Sequence, residues 1–373
     1  MDQTRPREHR QAPEPAPGRA SGSGRSWRGR RGRLGLCLVG AAILVASGCG
    51  RGRSQSTETT STTVARPPAT VASTNCPLTG EPAPGGKVPQ RPALAVKIDN
   101  APAARPQFGL GTADIVYEQP VEGGLTRYIA IFQCHDAEKI MPIRSGRLID
   151  PELLSQFGEH PLFAYSGAIQ PVIDKVAASP LIDVGANQAP NAYHRDSSRS
   201  APHNLYSSTA ELYAAGAAKG AAETPPPPVF HYGSLQSHQA AASVNIAYAA
   251  SNVTWTWESG AGHWSRSYRD TGPATLGGGG QVSTANIVVL KCHLYESPYI
   301  EDATGAHENL LTLTGSGVAQ VYRNGSVIDG RWERPKLSDL TELVNDAGQT
   351  IRLTPGQTWI ELVPRDVSVT VTR

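Results

Sequence analysis

The chain has 373 residues, 34 Lys and Arg against 32 Asp and Glu, and a formal net charge of +2. Nine Arg against Asp2, Glu8 and Glu14 place +6 of that charge in residues 1–48, so the remainder sits near −4 and a basic nucleic-acid-binding surface is excluded as the source of the balance. Five Cys are too few for a disulfide scaffold, and the roughly 300 residues after the leading segments are enough for two ordinary domains with real cores.

Residues 1–48 read as a lipoprotein signal peptide. An arginine-rich start precedes an apolar run from Leu34 to Ala46, too short to stay in a bilayer as a spanning helix. Ala46-Ser47-Gly48 supply the small residues of a cleavage site and Cys49 the thiol for acylation, so the expected partner is the membrane through a lipidated Cys49, on the extracytoplasmic face. Ala46 stands where a lipobox prefers Leu, and Arg30-Arg31 leave Sec and twin-arginine export both open. Residues 49–75, rich in Ser, Thr and Pro with almost nothing apolar, read as a tether.

An N-terminal α/β or α+β domain is expected over residues 76–224. Strands fit Pro92 to Asp99, Ala113 to Glu118 and Leu125 to Cys134; helices fit Pro151 to Phe157, Gln170 to Ala178 and Thr209 to about Ala222. The last carries a capping pattern, Ser208-Thr209-Ala210-Glu211. The proline run from Pro225 to Pro228 marks a linker over residues 225–243. Residues 244–373 then read as a β-rich domain, a sandwich or barrel, with Asn324-Gly325 as a hairpin turn and Asp346-Ala347-Gly348 as another. The expected strands are Val244 to Tyr248, Val253 to Trp257, Ser265 to Arg269, Asn286 to His293, Val318 to Arg323, Val327 to Glu333, Ile351 to Leu353, Trp359 to Val363 and Val367 to Thr372.

Polar residues of the first domain gather at strand ends and in loops, where sites are usually built. Arg144-Ser145-Gly146-Arg147 offers two guanidinium groups, a hydroxyl and backbone N–H groups suited to a phosphate or carboxylate, unless the arginines pair internally with Asp99, Glu118 or Glu122. Glu118 and Glu122 are candidate acid and base, or solvated turn residues. His203, in Ala201-Pro202-His203-Asn204-Leu205-Tyr206, is a candidate base, anion ligand or loop brace. Asp99, Arg105, Arg127, Arg144, Ser145, Arg147 and Asn204 complete the candidate ligand set.

Cys134-His135 and Cys292-His293 do not chelate well from one strand, so no metal and no cofactor is expected. At most one internal disulfide can form among Cys76, Cys134 and Cys292. Trp255, Trp257, Trp264, Trp332 and Trp359 fit a core better than a carbohydrate surface. There is no phosphate loop, nucleophile elbow or metalloprotease motif.

The same residues resemble the YerB-like bacterial lipoprotein family. The likeness runs through Cys76-Pro77-Leu78-Thr79-Gly80, Ile98-Asp99-Asn100, Ala113 to Glu118, Glu122 to Arg127, Pro142-Ile143-Arg144-Ser145 and Ala201 to Tyr206. It continues in Asn286-Ile287-Val288-Val289, Gly330-Arg331-Trp332 and Leu353 to Trp359. The chain departs from the family at Pro273 to Gly280 and at Trp257-Glu258. The resemblance implies two adjoining domains behind a lipoprotein signal, with no assigned catalysis. The expected function is a membrane-anchored envelope module that binds an anionic or polar component such as a cell-wall polymer and not nucleic acid. The competing expectation is a hydrolase or transferase acting on envelope polymer.

Overall fold

The computed structural model describes residues 74–234, 238–301 and 304–373, so the signal segment, Cys49 and most of the tether lie outside the described residues. No helix among the described residues is long and apolar enough to cross a membrane. The expected fold class is the one observed: a mixed first region is followed by one made almost entirely of strands.

The Leu94–Asp99, Ile115–Pro120 and Thr126–Phe132 strands form because their alternating side chains are large and apolar or β-branched, and both of their faces are buried. Leu94–Asp99 pairs antiparallel with Thr126–Phe132 and parallel with Leu162–Ala164, which in turn runs parallel to Ile182–Asp183. Ile115–Pro120 continues outward into the second region, because it pairs parallel with Thr358–Pro364, and that strand with Asn286–Cys292. The Gly315–Arg323, Ser326–Arg334 and Glu342–Asn345 strands complete the same sheet. The two sequence regions thus share one eleven-stranded sheet, and residues 69–373 make one compact unit.

Alternation along each strand divides two cores. Leu94, Val96 and Ile98 belong to a core shared with Leu212 of the Thr209–Ala218 helix and with a second sheet, in which Ser243–Ile246, Val253–Glu258, His263–Tyr268 and Val369–Thr372 are the main strands; Trp255, Trp264 and Trp359 lie in the same core. Ala95, Ile129 and Ile131 face the other way, onto the Asp150–Leu154 and Gln170–Ala177 helices through Leu153, Leu154, Val172 and Val176.

Local chemistry explains several elements. Ser208 accepts from Glu211 N while Glu211 accepts from Ser208 N, which starts the Thr209–Ala218 helix. The helix ends four residues before the expected Ala222. Its Gly216 lets Leu162 approach closer than any side chain would permit. Asn324 and Gly325 both take positive φ and join their two strands as expected. Ile351 to Leu353 is a correction: it forms no strand, and Leu353 makes only an isolated bridge to Tyr232. Val229 and Phe230, just past the proline run, are buried in the helix-side core. Cys76 and Cys134 form a disulfide, and Cys292 is free and buried.

Candidate functional site

The sheet opens where Leu94–Asp99 and Leu162–Ala164 part company. Their parallel pairing stops at Val96 and Ala164, and residues 142–146 wedge into the gap, taking over the vacated backbone groups. Asp99 N donates to Pro142 O, Arg144 N to Lys97 O, Ser166 N to Arg144 O and Gly146 N to Gly167 O. The wedge sets Arg144 and Ser145 at the carboxyl ends of the parallel strands, the usual place for a ligand crevice in an open sheet of this kind. Arg127 reaches the same rim because it is the register partner of Asp99.

At this rim the Asp99 carboxylate organises two side chains, His203 and Arg144. Its Oδ2 lies 2.8 Å from His203 Nδ1 and 3.1 Å from Arg144 Nε, while Oδ1 accepts from Ala101 N at 3.1 Å. His203 and Arg144 keep 22% and 24% of their side chains exposed, and Asp99 only 5%. With His203 held by Nδ1 and Arg144 by Nε, His203 Nε2 and both Arg144 Nη atoms have no hydrogen-bond partner among the described residues.

Arg127 is the unusual member. Among the described residues its one hydrogen bond is from Nη1 to Ser145 O at 3.3 Å, and no carboxylate lies within ion-pair distance. Burial, and then the charges of Arg147 and Arg144 beside it, push its guanidinium down to about 10 despite Asp99 and Glu122 nearby. A partly buried cation between two like charges, with most of its donors unused, is a position where an added anion would be stabilised.

The other candidates fall around this rim in different ways. Arg147 is turned inward: it is 2% exposed, grips Glu122 through Nε at 3.2 Å and Nη2 at 2.6 Å, and meets Glu301 through Nη1 at 2.6 Å. Burial alone would raise the Glu122 carboxyl, and the Arg147 contacts overcome it and hold it below the ordinary value. Arg105 stacks on Tyr268 at 3.5 Å and ties to Asn100, while Asn204 accepts from Arg195 at 2.7 Å and donates to Arg199 O. Both therefore brace the loops that carry Asp99 and His203.

Glu118 lies elsewhere. It is fully buried between the two sheets, where its carboxylate accepts from Arg266 Nη2 at 2.6 Å and from Thr126 Oγ1 at 2.6 Å. Arg266 also meets Glu361 at 3.1 Å, and Glu361 accepts from Trp255 Nε1 at 2.9 Å and Tyr248 OH at 3.2 Å. Burial and then Glu118 beside it push the Glu361 carboxyl up to about 8.

Reading the sequence missed Arg266, Glu361, Lys97 and Asp150. The buried Lys97 Nζ donates to Asp150 Oδ1 at 2.7 Å, and burial outweighs that attraction, lowering the ammonium to about 8. The available signal was one charge inside an apolar strand, as in Leu94-Ala95-Val96-Lys97-Ile98 and Trp359-Ile360-Glu361-Leu362, since such a charge requires a buried partner.

Residues 78–222 match the family model described as the N-terminal domain of DUF3048, a protein of unknown function, and residues 244–360 match that of its C-terminal domain. A Bacillus subtilis protein, YerB, named as a candidate lipoprotein, is 29% identical over 305 residues, covering 80% of this chain and 88% of its own. The crystal structure of YerB from Bacillus subtilis superposes with a TM-score of 0.68 at 25% identity, covering 79% of this chain and 99% of that one.

Proposed function

We propose, from the premise that this chain belongs to the YerB-like family with its paired DUF3048 domains, that it is a lipid-anchored envelope protein that binds an anionic polymer or headgroup at the Asp99–Arg127–Arg144–His203 rim. Cys49 is the proposed lipid site, which places the rim on the extracytoplasmic side of the cell membrane. One observation carries the ligand class: among the described residues no carboxylate lies within ion-pair distance of Arg127 although Arg144 and Arg147 crowd it. The Arg144 Nη atoms and the Ser145 hydroxyl supply further donors, and His203 shares Asp99 with Arg144. The test is binding of the 69–373 unit to purified cell-wall polymer fragments. Wild type is expected to bind, and Arg127→Ala or Arg144→Ala to weaken binding by about tenfold or more. Equal binding by all three proteins would remove the rim from the account.

The Asp99–His203 contact favours a second reading, a hydrolase or transferase acting on the same polymer. A buried carboxylate on Nδ1 fixes the tautomer in which Nε2 is a base. Glu118 has no place in such chemistry because it faces the core, and Glu122 is held by Arg147. Release of product from labelled polymer by wild type, abolished in His203→Ala, would establish this reading; unchanged polymer would leave binding alone.

A further inference from the structure

Among the described residues, no carboxylate lies within ion-pair distance of Arg105, Arg127 or Arg195, and each is held instead by a neutral acceptor. Arg105 Nε donates to Asn100 Oδ1 at 3.1 Å, Arg127 Nη1 to Ser145 O at 3.3 Å and Arg195 Nη1 to Asn204 Oδ1 at 2.7 Å. An amide or carbonyl oxygen fixes a guanidinium in place but leaves its charge uncancelled. The acids near Arg195 are already engaged: Asp196 by Lys139 and Ser198, and Glu211 by His194 and Ser208.

Backbone pairing spreads the cations of the rim into a row. In the short His194–Arg195 and Leu205–Tyr206 pair, Arg195 is the register partner of Leu205; Ile143 N donates to Leu205 O, Ile143 bridges Ile98, and Asp99 is the register partner of Arg127. Four steps between neighbouring segments, at about 4.8 Å each, put the Arg195 and Arg127 backbones roughly 19 Å apart. Arg144 and His203 lie between them, joined through Asp99, and His203 directly precedes Asn204, which holds the exposed Arg195. Resting on the anion-binding reading above, we propose that the ligand is a polymer with repeated negative groups, lying along this row from Arg127 past Arg144 to Arg195. A single phosphate or carboxylate is satisfied at Arg127 and Arg144 and does not reach Arg195. A chain of such groups meets Arg195 as well, so its affinity rises with the added contact and falls more steeply with salt. Asn204 is the positioning residue, because it fixes Arg195 without neutralising it.

Titration calorimetry of the 69–373 unit with inorganic phosphate and with long-chain inorganic polyphosphate, in wild type, Arg195→Ala and Asn204→Asp, tests this. Arg195 is exposed, so its replacement is expected to leave the fold intact. Both variants are expected to bind polyphosphate about fivefold or more weakly than wild type and phosphate within about twofold of it, since Asn204→Asp supplies the carboxylate that Arg195 lacks. The salt dependence of polyphosphate binding is expected to be shallower in Arg195→Ala than in wild type. Unchanged polyphosphate affinity in either variant, or an equal loss for both probes, would overturn the row while leaving the rim intact. Binding of wild type to phosphatidylglycerol vesicles but not to polyphosphate would overturn the polymer in favour of a lipid surface. No binding of wild type to phosphate, polyphosphate or vesicles would overturn the rim and the row together.

Discussion

Glu118 and Arg127 sit on neighbouring strands of one sheet, yet they belong to clusters of opposite character. Successive strand residues point to opposite faces, so Val116, Glu118 and Tyr128 look into the space between the sheets, whereas Asp99 and Arg127 look toward the helix side at its open end. Between the sheets, Glu118 and Glu361 are direct register partners on parallel strands, a like-charge juxtaposition offset by Arg266, by donors from Thr126, Trp255 and Tyr248, and by the raised Glu361 carboxyl. At the rim Arg144 is paired with Asp99 and Arg147 with Glu122 and Glu301, while Arg127 has no carboxylate within ion-pair distance among the described residues. A surplus of carboxylate sealed from water is a structural device, and a half-buried guanidinium without an ion-pair partner is a place for a ligand.

The largest effect should come from breaking the sealed cluster. Arg266→Met strands two buried carboxylates and is expected to lower stability by about 3–5 kcal/mol, read by thermal or denaturant unfolding. A loss below about 1 kcal/mol would erase the distinction between the clusters. Arg127→Ala should do the opposite of Arg266→Met. It removes a cation from between two others, so stability is expected to stay within about 1 kcal/mol, while affinity for polyphosphate drops about tenfold or more. A rim variant that unfolds as readily as Arg266→Met would make the rim another brace.

The pH dependence sharpens the contrast on a smaller scale. The folded-state Glu361 carboxyl, raised from 4.5 to about 8, keeps a proton that the unfolded chain has released. Its contribution is therefore fully present below pH 4.5 and is lost as pH rises through about 8. Glu308, raised to about 7 by burial, acts in the same direction over the lower part of that interval. Stability is expected to fall between about pH 5 and 8, by no more than about 1.4 kcal/mol per pH unit for each proton released, and Glu361→Gln should flatten the curve. Superimposable wild-type and Glu361→Gln curves would count against a shared proton in the sealed cluster.

Local signals in the sequence were enough for the main elements. The Ser208/Glu211 capping box, the Asn324-Gly325 turn and the apolar strand of Leu94 to Ile98 each act within a few residues, and each stands where expected. Asp99, Arg127, Arg144 and Ser145 were also legible as a polar set at strand ends. The division of that set was not. Glu118 reads like Glu122 in sequence, but its partner Arg266 is 148 residues away, and only the pairing of the two sheets brings them together. The Leu162–Ala164 strand is three residues long, too short for alternation to show. The 294–311 hairpin was hidden because Pro298 and its acids mask the strand pattern, so Glu301 and Glu308 gave no sign of reaching Arg147 and Leu148.

The most direct measurement is an NMR titration that follows the arginine Nε–Hε and histidine ring signals of the 69–373 unit as inorganic polyphosphate is added. The signals of Arg127, Arg144 and His203 should move together and saturate, while that of Arg266 stays fixed. Silent rim signals, or an Arg266 signal that moves with them, would contradict the division between a sealed cluster that holds the fold and an open one that holds a ligand.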